Sequence, residues 1–226
     1  MFVYQRDGKI CVTFQSNLPV TNPEYVISID QKSNTILIND VVVSETAYEE
    51  LSGDVKNKTA TTVDKYVTVN LNGHNVSIPT DTEGNGVYHV VTGGTLVIDG
   101  DGIVNGVGKN DYNMAIWADG GNVVINSGTF TNKGAKGKSS DHFDLIYAKN
   151  GSIVEINGGT FECETPKWTL NNNDSNPGKF VVKGGTFIGY DPSNSQTEPA
   201  GAVNNFVADG YTVKHEGNKF TVVKAV

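Results

Sequence analysis

One corner is written three times along this chain: SGTF at 127–130, GGTF at 158–161 and GGTF again at 184–187. Each copy closes a run of one form, an apolar residue, four small or polar residues and a second apolar residue. The runs are Leu71-NGHN-Val76, Ile98-DGDG-Ile103, Ile125-NSGT-Phe130, Ile156-NGGT-Phe161 and Val182-KGGT-Phe187, and their leading residues lie 27, 27, 31 and 26 positions apart. A second apolar segment precedes the middle runs, as VYHVV at 87–91, MAIWA at 114–118 and DLIYA at 144–148. Repetition at a nearly constant contour length is the mark of a solenoid, in which each repeat buries its apolar side only against its neighbours.

The strands within each repeat are short and alternate (TLVI, NVVI, SIVEI, KFVV), so none can bury an inner face alone. Stacking about 4.8 Å apart gives them one continuous core, and Gly and Asn suit the tight corners because they tolerate positive φ. The expected fold is all-β: a right-handed parallel β-helix of about five rungs over residues 61–203, right-handed because parallel connections are. Its core ladder is expected to hold Leu71, Ile98, Ile125, Ile156 and Val182, and Val76, Ile103, Phe130, Phe161 and Phe187. Residues 204–226 break the period and read as a hairpin (YTVKH, turn EGN, KFTVV) capping the last rung. Residues 1–60 form a small N-terminal β domain with a linker. Its strands are FVYQ, KICVTFQ, EYVISID and NTILINDVVV, and residues 44–60 are expected to form one short helix ended by Gly53 and then a linker.

Composition narrows function. The net charge is −8, and Arg6 is the only arginine in the chain, which argues against nucleic-acid binding. No apolar run is long enough for a bilayer helix, so no membrane insertion is expected. The first residues, MFVYQRDGKICV, lack the pattern of a signal peptide, which points to folding in the cell that makes the protein. Cys11 and Cys163 fit no metal or redox spacing and read as reduced residues.

The residues offer little catalytic chemistry. Asp111, Asp119, Asp141, Asp144 and Glu155 could supply the carboxylate pair of a glycosidase, but their positions equally suit turns and solvated strands. A lyase would need a cationic base, which only lysine could supply. The DGDG at 99–102 lacks the spaced oxygen ligands of a calcium loop and occupies the corner held elsewhere by NSGT and NGGT. His74, His89, His142 and His215 occur singly, without metal spacing. The expectation is therefore a protein without catalytic residues, metal or cofactor. Tyr112, Trp117, Tyr147 and Trp168 are the candidate contact residues. Val90, Trp117 and Tyr147 are expected to share one position on successive rungs, with Ile116 and Ile146 turned inward. Such aromatics suit glycan contact, a subunit interface, or packing beneath the insert GAKGKSSDHFD at 134–144.

The motifs INGGTF at 156–161, VIDGDG at 97–102 and NNFVADGYTV at 204–213 carry a resemblance. Residues 63–215 resemble the β-helical appendage proteins of crAss-like phages of gut Bacteroidales, where similar chains occur as virion fibres. A wider kinship runs to pectate-lyase-like β-helices and phage tailspikes. The resemblance implies a homotrimeric virion appendage, a head fibre or capsid decoration, attached to the capsid or another virion protein through residues 1–60. It would be made in the infected cytoplasm and could meet host or mucosal polysaccharide. A short tailspike or tail fibre that binds or cleaves capsule polysaccharide is the alternative. The resemblance carries over no catalytic residue, because it resides in corners and core positions.

Overall fold

The computed structural model describes residues 2–6, 9–13, 26–30, 35–38 and 41–78, with side chains from residue 47 onward, then 86–107, 114–135, 143–196, 198 and 203–226. It divides into two compact units, Met1–Tyr48 and Glu49–Val226.

The N-terminal unit is an antiparallel meander. Strands Phe2–Arg6, Lys9–Thr13, Val26–Asp30 and Thr35–Ile38 each pair with the next, and the last pairs with a strand beginning at Val41. The expected strands are there, but the helix expected within 44–60 and ended by Gly53 is not. That stretch holds strands Val41–Glu50 and Val55–Lys56. The reason lies in backbone pairing: the N–H of Leu51 donates to the carbonyl of Asn70, and that of Asn57 to the carbonyl of Ser77. Cross-strand partners of this kind outweigh an isolated helix so short. Leu51 is buried, so the solenoid's core begins earlier than residue 61.

The second unit is a β-solenoid of about four turns with three parallel faces. The first face stacks Thr61–Val63, Tyr88–Val91, Ile116–Asp119, Ile146–Lys149 and Leu170–Asn172. The second stacks Tyr66–Asn70, Thr95–Asp99, Asn122–Ile125, Ile153–Ile156 and Lys179–Val182. The third stacks Val55–Lys56, Asn75–Ile78, Ile103–Gly106, Thr129–Thr131, Thr160–Glu162 and Thr186–Ile188. Strands Tyr211–Glu216 and Lys219–Lys224 form the expected hairpin, and the second of them pairs antiparallel with Thr186–Ile188.

The core is built of ladders. Ile98, Ile125, Ile156 and Val182 are fully buried and stand in register. Phe130, Phe161 and Phe187 are fully buried too, with ring centroids 5.2 and 4.7 Å apart and planes within 13° of parallel. Two expected ladder members sit elsewhere. Ile98 pairs with Val69, not Leu71, which is buried two residues further on. Ile103 pairs with Asn75 and Thr129 and faces outward at 36% exposure, while Val104 stands between Val76 and Phe130. The cause is spacing around the corner: three residues separate Ile125 from Thr129, whereas four separate their register partners Ile98 and Ile103, and the extra residue reverses which side chains point inward.

The doubled glycines of GGTF have separate tasks. The second of each pair, Gly159 and Gly185, has φ of +98° and +97°, a conformation L side chains avoid. The first is excluded by its neighbour in the stack: a Cβ would stand 2.3 Å from the carbonyl oxygen of Asn126 at Gly158, and 2.1 Å from that of Asn157 at Gly184.

Candidate functional site

The corners leaving the first and second faces are mostly short (92–94, 120–121 and 126–128 among them), whereas the connections entering the first face are long: 79–87, 107–115, 132–145 and 163–169. The insert 134–144 belongs to this series. Among the described residues, the first face carries the polar and aromatic side chains that do not repeat.

Its outward row is His89, Trp117, Tyr147 and Asn171, in register on successive strands. His89 stands where Val90 was expected. Val90 and Ala118 point into the core on the same side as Tyr88, Ile116 and Ile146, each two residues along its strand from an inward neighbour. The imidazole of His89 stacks on the indole of Trp117 at 4.2 Å between centroids and 8° between planes. From the following strand, the Lys149 ammonium approaches the same indole at 5.1 Å. Asp119 ties these groups together. Its Oδ2 lies 3.2 Å from His89 Nε2, and its Oδ1 accepts from Asn150 Nδ2 at 2.5 Å and lies 3.7 Å from Lys149 Nζ. A sugar ring would have to displace His89 or Lys149 to lie flat on Trp117.

A second polar cluster follows on the next turns. Tyr147 donates its hydroxyl hydrogen to Glu198 Oε2 at 3.1 Å and accepts from Asn173 Nδ2 at 2.8 Å. Burial pushes its phenol up, the charges of Glu198 and Asp144 add to this, and the Asn173 bond opposes it. Asn171, fully buried, donates to Asp144 Oδ1 at 3.0 Å and Glu198 Oε1 at 3.3 Å, and accepts from the Glu198 N–H at 3.0 Å. Two carboxylates are thus held by one amide group.

The other candidates fall outside these clusters. Trp168 lies in the 3-10 turn Pro166–Trp168, with Lys167 Nζ 5.0 Å from its ring. Tyr112, Asp111, Asp141 and His142 lie outside the described residues. Glu155 pairs with Lys183 at 2.8 Å on the second face, which holds its carboxyl below the usual range. Asp99 accepts from Asn126 at 2.9 Å, one step of a side-chain ladder that Asn157 continues at 3.0 Å. Cys163 is buried, donates to the Phe143 carbonyl, and has its thiol pushed up to about 12 by burial. Among the described residues no group of three or more His, Cys, Asp or Glu could hold a metal ion. Asn171 and Glu198 are not singled out by sequence, and His89 reads there only as a lone histidine without metal spacing. The NNN at 171–173 is a weak signal, and only the stacking register brings these groups to Trp117 and Tyr147.

Fold and site together define the class, a three-faced parallel β-solenoid with a separate N-terminal antiparallel unit. No protein-family model, no curated protein and no solved structure matches the chain.

Proposed function

We propose that this chain is a structural and adhesive virion appendage, a phage head fibre or capsid decoration of the kind its motifs resemble. The N-terminal unit attaches to the capsid or another virion protein, and the solenoid presents surfaces to the outside. The carrying observation is the contrast within the solenoid: core and corners repeat turn after turn, while the irregular side chains gather on one face. A stacked column uses sequence to make an extended surface rather than an enclosed reaction chamber. The chain acts as a homotrimer and without catalysis in this reading. Among the described residues no helix is long and apolar enough to cross a membrane.

Labelled full-length protein, imaged on intact particles, tests the reading. Decoration of the head supports it, decoration of the tail moves it to the tail-fibre alternative, and no decoration overturns it. A version lacking residues 1–48, checked for folding by circular dichroism, should lose decoration. A solution mass of three times 24.2 kDa is expected, and a stable monomer removes the trimer.

The alternative, a tailspike that cleaves polysaccharide, has one observation in its favour. Asp144 Oδ1 and Glu198 Oε1 bond the same amide nitrogen, so they are no more than about 6.3 Å apart, within glycosidase range. Against it, Asp144 is only 4% exposed. Release of reducing ends from capsule polysaccharide, abolished by Asp144→Asn and by Glu198→Gln, would establish the tailspike reading.

A further inference from the structure

At the end of the solenoid remote from its first turn, a cleft of about 300 Å³ opens between the Asp191–Ser193 turn and Asn205 on one side and the inner face of the C-terminal hairpin on the other. We infer that this cleft binds a single neutral sugar ring, with Asp191 and Asn205 holding hydroxyl groups and the aromatic side chains of the hairpin walling the ring.

The polar groups are fixed before any ligand arrives. Asp191 Oδ1 accepts from both the N–H and the hydroxyl of Ser193, at 2.9 and 2.7 Å, which orients the carboxylate at the cleft's edge. Asn205 Oδ1 accepts the Val207 N–H at 2.9 Å, so its amide hydrogens remain to donate. His215 Nε2 lies 2.7 Å from the Gly217 carbonyl, which requires the proton on Nε2 and leaves Nδ1 as an acceptor in the neutral ring. One carboxylate acceptor, one amide donor and one imidazole acceptor around one cleft suit a ring of hydroxyls, each both donor and acceptor.

The walls select the rest. Tyr211 and Phe220 pack against the core from the hairpin, and the His215 ring stacks on Phe220 at 4.2 Å and 9°. Aromatic walls suit the C–H face of a pyranose. The volume lies at the small end of ligand sites, enough for one ring. Among the described residues no Lys or Arg lines the cleft and Asp191 is the one carboxylate, so a uronic acid, sulfate or phosphate would meet repulsion.

The cleft stands on its own geometry, and the inference rests on the adhesive reading only for the biological source of the sugar. The test titrates full-length protein with glucose, galactose, mannose, N-acetylglucosamine and glucuronate, followed by saturation-transfer NMR and calorimetry. At least one neutral sugar should bind with a Kd on the order of 1 mM or tighter, and glucuronate at least about tenfold more weakly. Asp191→Asn, which keeps the Ser193 contacts, and Asn205→Ala should each weaken binding about tenfold with an unchanged thermal melt. Two results overturn the inference: no neutral sugar binding at that level, or binding indifferent to both variants. Should one variant fail to fold, the other decides. Sugar binding by a protein that fails to decorate particles would refute the virion role and leave this site standing. Decoration without sugar binding would do the reverse.

Discussion

The rings of Phe161 and Phe187 lie 4.7 Å apart and 13° from parallel, one solenoid step from each other, although 26 residues separate them in the chain. Phe161 is in contact on both sides, since Phe130 stacks on its other side at 5.2 Å. Phe161→Ala should therefore open a cavity that neither neighbour can close, costing about 3–5 kcal/mol. Ile103→Thr, at a position that sequence pattern places in the same ladder but which faces outward, should stay within about 1 kcal/mol of the parent. Urea denaturation followed by circular dichroism compares the two. Equal losses would contradict the register described here.

This pair of variants also marks what was legible in the sequence. Inward positions could be read wherever corners kept one length, as from Ile125 to Val182, because recurrence alone then sets register. They could not be read where the corner lengthened, since one inserted residue turns Ile103 outward and a two-residue offset leaves Leu71 buried but out of register with Ile98. The helix expected up to Gly53 failed for a related reason: the backbone partners of that stretch and its linker, Asn70 and Ser77, belong to strands further along the chain. Trp117 and Tyr147 were legible as aromatics on aligned strands. His89 and Glu198 were not, because their contacts join residues 30 and 51 positions apart through the stack.

The glycines of GGTF predict an asymmetry between two alanine substitutions. At Gly184 a Cβ would stand 2.1 Å from the Asn157 carbonyl oxygen, a backbone atom that cannot move aside alone. Gly184→Ala should destabilise by about 1–3 kcal/mol through overpacking. Gly53 has nothing within 4 Å of such a Cβ and no positive φ, so Gly53→Ala should be neutral or slightly stabilising. Thermal melts of the two proteins decide the matter, and similar melting temperatures would refute the stacking explanation.

Cys163 predicts sensitivity to alkali. Burial raises its thiol from 9.0 to about 12, so the folded protein keeps the proton that the unfolded chain releases first. The contribution to stability is complete below about pH 9 and is lost as pH rises through the folded value near 12. Buried Tyr88 and Tyr190, both shifted upward by burial, act in the same direction. The urea midpoint should fall steadily above pH 9, and less steeply in Cys163→Ala. Peptide mass spectrometry should find Cys163 unmodified by iodoacetamide in the native protein at pH 8 and modified in urea; rapid native labelling would show that the thiol is not enclosed.

Asn171 offers the sharpest test of the cluster on the first face, because its amide serves two carboxylates and a backbone N–H while fully buried. Asn171→Ala removes the amide's bonds to Asp144 Oδ1 and Glu198 Oε1 and the acceptor of the Glu198 N–H, and should cost about 1–3 kcal/mol. Asn171→Asp does more, placing a third carboxyl among two others. Burial and the like charges of Asp144 and Glu198 would raise its folded-state pKa above the unfolded value of about 3.9. The protonated acid is then the tolerated form. Relative to the parent, the loss is smallest below pH 4 and grows as pH rises through the raised value, reaching about 3 kcal/mol or more at neutrality. Melting curves of parent and variant, recorded from pH 4 to pH 8, should diverge as pH rises. Parallel curves would mean that the three side chains do not share the enclosed site described here.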